Sequence, residues 1–335
     1  MPTIRDVARL ANVAPITVSR VINKSGYISD ETRVRVEQAI AELEYVPNSL
    51  SRSLRFKKTD TIALLVSDIT NPFWTAMTRG VEDVAGDAGF NVILCNTDES
   101  PDKQENYINV LLQKQVDGIL VSPAEGSGQE LVRRMKKREV PMVAIDRQVE
   151  GVHVDVVRSD SEGGAYRLVS YLIEIGHRDI AIINGPLSIS TGLQRYEGYR
   201  RALLEHGITP DERLMGIAQF RPESGYKMMF DLLQRRERRP TAVFAANNFI
   251  ALGAIRALRD MGLSVPDDIS IVGFDELPHT FEVPFVTVIA QMPYEIGAKA
   301  AKLLADLITG IQTPDNRDIV VPVELIIRRS ARALK

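Results

Sequence analysis

Side chains suited to gripping a hydroxyl-rich molecule recur in this sequence shortly after runs of apolar residues. Asn71, Phe73 and Trp74 follow "TIALLV", Asp146 and Arg147 follow "PMVAI", and Phe220 follows "GIAQ". Asn247 follows "TAVFAA", Asp275 follows "SIVGF", Gln291 follows "VTVIA", and Arg195 falls early in a helical stretch. Carboxylates, amides and guanidinium groups fork to vicinal hydroxyls, while flat rings cover the C–H faces between them. The chemistry is reversible binding of a small polyol. Each residue also has an ordinary reading alone: Asp after a strand caps helices, Arg147 suits a surface, and Phe73 or Phe220 suits a core. Their recurrence at strand ends sets them apart.

A second set lies near the N-terminus. Pro15, Ile16, Thr17, Ser19, Arg20 and Asn23 fall on the outward side or the end of a short helix. Arg forks to guanine, and Ser and Thr hold phosphates, so the face suits a DNA groove. It equally suits a solvated helix face.

The elements that position these residues follow from periodicity. Three short helices are expected at Thr3 to Leu10, at Ala14 to Ile22, and from Ser29 or Asp30 to before Pro47. Their inward residues are Ile4, Val7, Ala8 and Ala11, then Ala14, Val18, Val21 and Ile22, then Val36, Ala39, Ile40 and Leu43. The tight joint "ANV" makes the first two a helix-turn-helix pattern. After Lys58 the texture changes to apolar runs alternating with amphipathic stretches, which implies parallel sheets covered on both faces. Helices are expected from Phe73, Asp102, Gln129, Ser161, Thr191, Glu223 and Phe249, with a last one at Pro293 to Thr309. Two such series imply two lobes, and "DIVVPV" and "ELIIRR" finish the body.

Composition bounds the function. Across the 335 residues the net charge is -3, yet residues 1–60 carry ten Lys/Arg against seven Asp/Glu, leaving a basic head on an acidic body. The single cysteine, Cys95, cannot form an internal disulfide, which fits a reducing cytoplasm. No apolar run is long enough for a membrane span, and "MPTIRDVARLANV" is charged and amphipathic, unlike a secretory signal. His153, His177, His206 and His279 are scattered without metal-ligand spacing. No dinucleotide fingerprint follows the first strand, and "EGSG" at Glu125 is too short for a phosphate loop. No cofactor, metal or catalytic residue is expected.

The stretch "TIRDVARLANVAPITVSRVINKSGYISDETRVRVEQAIAELEYVPNSLSRSLR" resembles the DNA-binding head of the LacI/GalR family of transcriptional regulators, and the resemblance continues to the C-terminus. It implies an α/β fold: a helix-turn-helix head (1–47), a hinge helix and linker (48–60), and a two-lobed body (61–335). The body would resemble periplasmic sugar-binding proteins, with doubly wound parallel sheets in lobe I (about 61–160 and 292–325) and lobe II (about 161–291). By the same resemblance Pro15, Ile16 and Arg20 read base edges, and Thr17, Ser19, Asn23 and Tyr45 contact phosphates. "NSLSRSLRFKK" matches the hinge, capped by Asn48, too short to stay helical without a second copy and DNA. Leu54 matches the leucine that wedges into the minor groove. Leu50 would pack on its mate, with Arg52 and Arg55 near the duplex; Ser51 stands where alanine is frequent.

The set "NPFW", "IDR", Arg195, Phe220, "ANN", "GFDE" and "AQ" is close to the pattern of ribose-binding proteins. There Phe73, Trp74 and Phe220 stack on the sugar, while Asn71, Asp146, Arg147, Arg195, Asn247, Asp275 and Gln291 bond its hydroxyls. Trp74 replaces a frequent Phe. Ile189 stands where the purine-responsive branch has an arginine, although Thr191 is retained. The implied protein is a cytoplasmic, nucleoid-associated homodimer that binds double-stranded operator DNA as a repressor, with a monosaccharide effector, a pentose such as ribose favoured. A purine or other metabolite is the alternative effector, and a sugar receptor without a DNA role a more distant one. The ending "RRSARALK" lacks a leucine-heptad tail, so no tail-built tetramer is expected.

Overall fold

The computed structural model describes residues 2–23, 25–46, 58–235, 239–277, 284–311 and 317–334. The expected hinge residues Asn48, Leu50, Ser51, Arg52, Leu54 and Arg55, and also His279, lie outside them. The chain divides into two compact units, Met1–Thr59 and Asp60–Lys335.

The first unit holds α1 (Ile4–Leu10), α2 (Pro15–Ile22) and α3 (Asp30–Glu42). Thr3 N–H donates to Asp6 Oδ2 at 2.9 Å, so a carboxylate satisfies an orphan donor at the start of α1. Asn12 takes a left-handed backbone (φ 54°) in the joint before α2, a conformation that Asn tolerates better than most residues. Pro15 is the first residue of α2, where its missing N–H is harmless. Ser29 caps α3 by accepting from Thr32 N–H. Val7, Ala8, Ala11, Val18, Val36 and Ala39 form the buried centre. Ala14, expected to face inward, is instead the exposed cap of α2. The helix begins one residue later at the proline, which shifts its inward face.

The second unit contains two six-stranded sheets. The first is ordered β11-β5-β4-β3-β1-β2, from β1 (Thr61–Val66), β2 (Asn91–Asn96), β3 (Gly118–Val121), β4 (Met142–Ile145), β5 (Val156–Ser159) and β11 (Asp318–Val321). The second is ordered β12-β10-β9-β8-β6-β7, from β6 (Ile180–Asn184), β7 (Met215–Ile217), β8 (Ala242–Ala245), β9 (Ser270–Phe274), β10 (Thr287–Ala290) and β12 (Glu324–Ile326). All pairings are parallel except β10 with β12.

Helices cover both faces of each sheet. Alternation within β1 shows why its run is uniformly apolar: Ile62, Leu64 and Val66 face one core, and Ala63 and Leu65 face the other. The first core lies under α4 (Pro72–Asp87) and α11 (Pro293–Thr309), the second under α5 (Pro101–Gln113) and α6 (Gly128–Arg138). In the second sheet, α7 (Ser161–Glu174) and α8 (Ser190–Glu205) cover one face, and α9 (Pro222–Gln234) and α10 (Asn248–Asp260) the other. Six of the expected helices begin one residue early, at Pro72, Pro101, Gly128, Ser190, Pro222 and Asn248. In three of them the first residue is a proline.

Two glycines set the closest helix crossing in the first lobe. A Cβ on Gly80 would stand 2.1 Å from the carbonyl oxygen of Tyr294, and one on Gly297 would stand 2.1 Å from that of Met77.

The chain passes between the sheets three times: from β5 into α7, from β10 into α11, and from β11 into β12. The third passage differs from the expected lobe I segment ending at 325, because β12 pairs with β10 in the second sheet. Cys95 is buried in β2, and burial pushes its thiol up to about 11, which leaves it a packing residue. Buried His177 also packs, bonding Thr241 Oγ1 and the Arg332 carbonyl. Among the described residues no helix is long and apolar enough to cross a membrane, and no group of side chains could hold a metal ion.

Candidate effector cleft and DNA-reading face

In the first unit, α2 presents Pro15, Ile16 and Arg20 to solvent, with Ile16 55% exposed. An isoleucine that open is available to meet an apolar group such as a thymine methyl. Asn23 is also exposed, and its Nδ2 donates to the Ser19 carbonyl at 2.7 Å and to Ser19 Oγ at 3.2 Å. Thr17 and Ser19 are half-buried. Tyr45 is half-buried too, packed on the helical core beside Ile40 and Leu43.

In the second unit, all eleven expected effector-binding residues line one cleft: Asn71, Phe73, Trp74, Asp146, Arg147, Thr191, Arg195, Phe220, Asn247, Asp275 and Gln291. The reason is topological. Parallel strands end on the same side, so residues that follow them converge there. Asp68 and Glu99 also line the cleft and were not expected.

Two carboxylates are aimed by unusual backbone. Asp146 follows β4 at φ 64° and Asp275 follows β9 at φ 74°. Each N–H stays in the ladder, Asp146 donating to the Val157 carbonyl at 2.9 Å and Asp275 to that of Ile289 at 2.8 Å. The left-handed turn thus swings the side chain off the strand end without losing the sheet bond. Such conformations cost about 1 kcal/mol or more and concentrate where function requires them.

Electrostatics differ between the two arginines. Glu99 holds Arg147 with two hydrogen bonds, Nη1–Oε2 at 2.7 Å and Nη2–Oε1 at 2.6 Å, and Arg147 Nη1 also donates to the Pro123 carbonyl at 3.2 Å. Nη1 is therefore taken up within the first lobe, while Nε has no partner. Burial pushes the Glu99 carboxyl up, but the charge and hydrogen bonds of Arg147 outweigh burial and hold it below its ordinary value. Arg195 lies 3.9 Å above the Phe274 ring centroid and donates from Nη1 to the Ala246 carbonyl at 2.7 Å. Burial lowers its pKa, opposed by Asp275 and Asp146.

Burial also raises Asp146, against the pull of Arg147 and Arg195. It pushes Asp275 up to about 6, against the pull of Arg195 and of Gln291, whose Nε2 donates to both Asp275 oxygens at 2.7 and 2.8 Å. Three buried polar atoms at the cleft have no partner: Nε of Arg147, Nε of Arg195 and Oε1 of Gln291. Unpaired buried polar groups are costly, so a cluster of them at one cleft points to a ligand.

The aromatic residues form walls. Phe73 and Trp74 pack edge to face, centroids 5.0 Å apart, and both belong to the buried core under α4 and α11. Phe220 crosses from the second lobe, its ring 5.8 Å from the Arg147 guanidinium. It fits because position 185 is glycine, where a Cβ would stand 2.1 Å from Phe220 Cζ.

Asn71 lines the cleft and also holds structure. It caps α4, accepting from Phe73 N–H at 3.1 Å, and exchanges two amide bonds of 3.0 and 2.9 Å with Asn248 of the other lobe. Both of its polar atoms thus take part in bonds between the lobes. Asn247 caps α10 through Ile250 N–H at 2.7 Å, and Thr191 lies buried in the first turn of α8. The free space left in the cleft is about 40 Å³, roughly that of one water. A larger guest requires the lobes to part.

Residues 59–329 match the family described as periplasmic binding proteins and sugar binding domain of LacI family, and residues 3–48 match bacterial regulatory proteins, lacI family. The chain belongs to the LacI family. It is a DNA-binding transcriptional repressor and not an enzyme. It is 38% identical to the HTH-type transcriptional repressor PurR of Histophilus somni (strain 129Pt), over all of both chains. Among solved LacI-family structures, the transcriptional regulator CelR–cellobiose complex is 36% identical with a TM-score of 0.74, covering 99% of this chain and 100% of that one. The lac repressor dimer bound to operator and the anti-inducer ONPF is 27% identical with a TM-score of 0.86, covering 99% of each.

Sequence reasoning missed Glu99, Asp68 and Asn248. Glu99 carried a usable signal: it follows the run "NVILC" as the other site residues follow theirs. Asn248 adjoins Asn247, but only the folded arrangement brings it to Asn71.

Proposed function

We propose that this LacI-family repressor binds operator DNA as a dimer through α2 and the adjoining hinge, and that a small neutral sugar in the interlobe cleft controls it. The carrying observation is the set of unpaired donors and acceptor at the cleft, Nε of Arg147 and Arg195 and Oε1 of Gln291, beside the acceptor carboxylates Asp146 and Asp275. Hydroxyls both donate and accept, so a polyol answers this mixture, and Phe73, Trp74 and Phe220 supply flat walls for its ring. The cellobiose held by the CelR relative supports a sugar. The PurR relatives favour a purine instead. Against a purine stands Ile189, which occupies the position where the purine-responsive branch is expected to carry arginine.

The control is a population shift. Interlobe bonds such as Asn71–Asn248 define a closed arrangement, and an effector acts only through its differential affinity for closed and open lobes, typically about 1–3 kcal/mol of coupling. The deciding experiment is a gel shift of the full chain on its own upstream DNA, titrated with pentoses, hexoses, disaccharides and purine bases. A response to purines alone would overturn the sugar reading; no retarded complex would overturn the DNA reading.

Two expectations accompany it. Arg20→Ala should weaken operator binding by about 1–3 kcal/mol and relax preference at one base pair, read by competition with single-substituted operators. Equal affinity and equal selectivity would remove Arg20 from base reading. Sugar affinity should also fall as the pH drops through about 6, where Asp275 takes up a proton. Sugar hydroxyls donate to the ionised carboxylate and so favour it, which makes binding oppose protonation. Calorimetric titrations between pH 5 and 8 test this, and a flat profile would speak against Asp275 as the acceptor.

A further inference from the structure

Beside the closed cleft lies a much larger groove of about 800 Å³. The first lobe supplies the loop 123–129, which includes the "EGSG" stretch, the segment 147–154, and Asp318 at the start of β11. The second lobe supplies 187–190 and the first turns of α8, including Leu193 and Gln194. Arg147 lines both cavities. The two meet again at the start of α8, where Ile189 and Ser190 line the groove and Thr191 lines the cleft.

The groove has mixed chemistry. Leu187 and Leu193 expose 37% and 44% of their surface, and Val149 and Val152 line it from the opposite lobe. Around these apolar patches stand polar groups already bridging the lobes. Gln148 N–H donates to Ser190 Oγ at 2.9 Å, Gln194 Nε2 donates to Gln148 Oε1 at 2.6 Å, and Ser188 Oγ donates to Glu125 Oε1. Gln148 Nε2 reaches Asp318 at 3.0 Å.

Its charge is acidic. Glu125, Glu150 and Asp318 line it, and Arg147, the one arginine or lysine among its lining residues, is held by Glu99. Asp318 is met by Arg158 through two bonds of 2.8 Å. Such a lining accepts hydroxyl donors and repels phosphate.

The geometry points to the groove as a second subsite, which takes an uncharged sugar ring linked to the ring bound in the cleft. This rests on the sugar reading of the cleft and adds to it that the effector is a glycoside of at least two rings, not a free monosaccharide or a sugar phosphate. At about 800 Å³ the groove's size is in the range of ligand pockets, about 300–1,000 Å³.

The test uses the full chain in calorimetric titrations with glucose, galactose, cellobiose, maltose, lactose, glucose 1-phosphate, hypoxanthine and guanine. At least one disaccharide should bind tenfold or more tightly than either of its component sugars, and glucose 1-phosphate should bind no better than glucose. Leu193→Trp fills the groove from an exposed helix position and leaves the cleft lining untouched. It should abolish the disaccharide's advantage while changing monosaccharide affinity less than twofold; Leu193→Ala should keep both, which controls for the loss of leucine itself. Monosaccharides binding as tightly as disaccharides, or a loss by Leu193→Trp equal for both, would overturn the subsite and leave the sugar reading standing. Binding of purine bases with no sugar bound would remove the sugar reading and the subsite with it.

Discussion

Asp275→Asn is expected to weaken binding of the proposed sugar effector by about 100-fold while leaving operator affinity unchanged. The replacement keeps size and tolerates the left-handed backbone at φ 74°, so the fold should accept it. It removes the charge that accepts hydroxyl donors. Loss of one partner from a buried charged hydrogen bond costs about 2–5 kcal/mol, and about 2.7 kcal/mol corresponds to 100-fold. Calorimetry for the sugar and a gel shift for the operator read the two halves; undiminished sugar affinity would mean that Asp275 does not bind it.

The same substitution should stabilise the protein. Burial raises the Asp275 pKa to about 6, above an ordinary carboxyl. The unfolded chain therefore ionises first, and the folded state loses stability as the pH rises from about 4 through about 6. Asparagine escapes that loss. Urea unfolding at pH 7.5 should show Asp275→Asn more stable by up to about 2–3 kcal/mol, with the difference vanishing below pH 4. A site that is costly to maintain and improves on mutation is one kept for binding.

Gly297→Val is expected to destabilise the first lobe by about 3 kcal/mol or more. Its Cβ would meet the Met77 carbonyl oxygen at 2.1 Å and Val81 N at 3.1 Å. These are backbone atoms of α4, so no rotamer relieves the clash and the two helices must separate. Gly86 in the same helix provides the contrast: nothing lies within 4 Å of a Cβ there, and Gly86→Ala should stabilise by up to about 1 kcal/mol through helix propensity. Urea midpoints separate the two. A Gly297→Val protein as stable as the parent would mean that α4 and α11 do not cross so closely.

The sequence made the strand-end residues legible because parallel strands leave no choice about which end faces the cleft. Helix starts were legible to within one residue, since prolines and capping side chains mark them locally. What local signals could not carry was pairing at a distance. Asn71 reads like a ligand residue by its place after β1, but it is also paired with Asn248, 177 residues away in sequence. Arg147 likewise reads as a free donor until Glu99 is found beside it. β5 escaped notice because four residues containing Arg158 make a weak apolar run. "DIVVPV" and "ELIIRR" read as two strands that finish the body, and nothing in their residues says that β11 and β12 belong to different sheets.

That last division bears on how the protein comes into being. Both sheets receive an edge strand from the final stretch of chain, β11 in one and β12 in the other. During synthesis the first sheet cannot be completed until residue 321 has cleared the ribosome, nor the second until residue 326, although most of each is translated long before. A nascent chain carrying a finished N-terminal unit would therefore meet the chromosome before its metabolite sensor exists, and competence to respond would arrive in both halves within the same last stretch of synthesis.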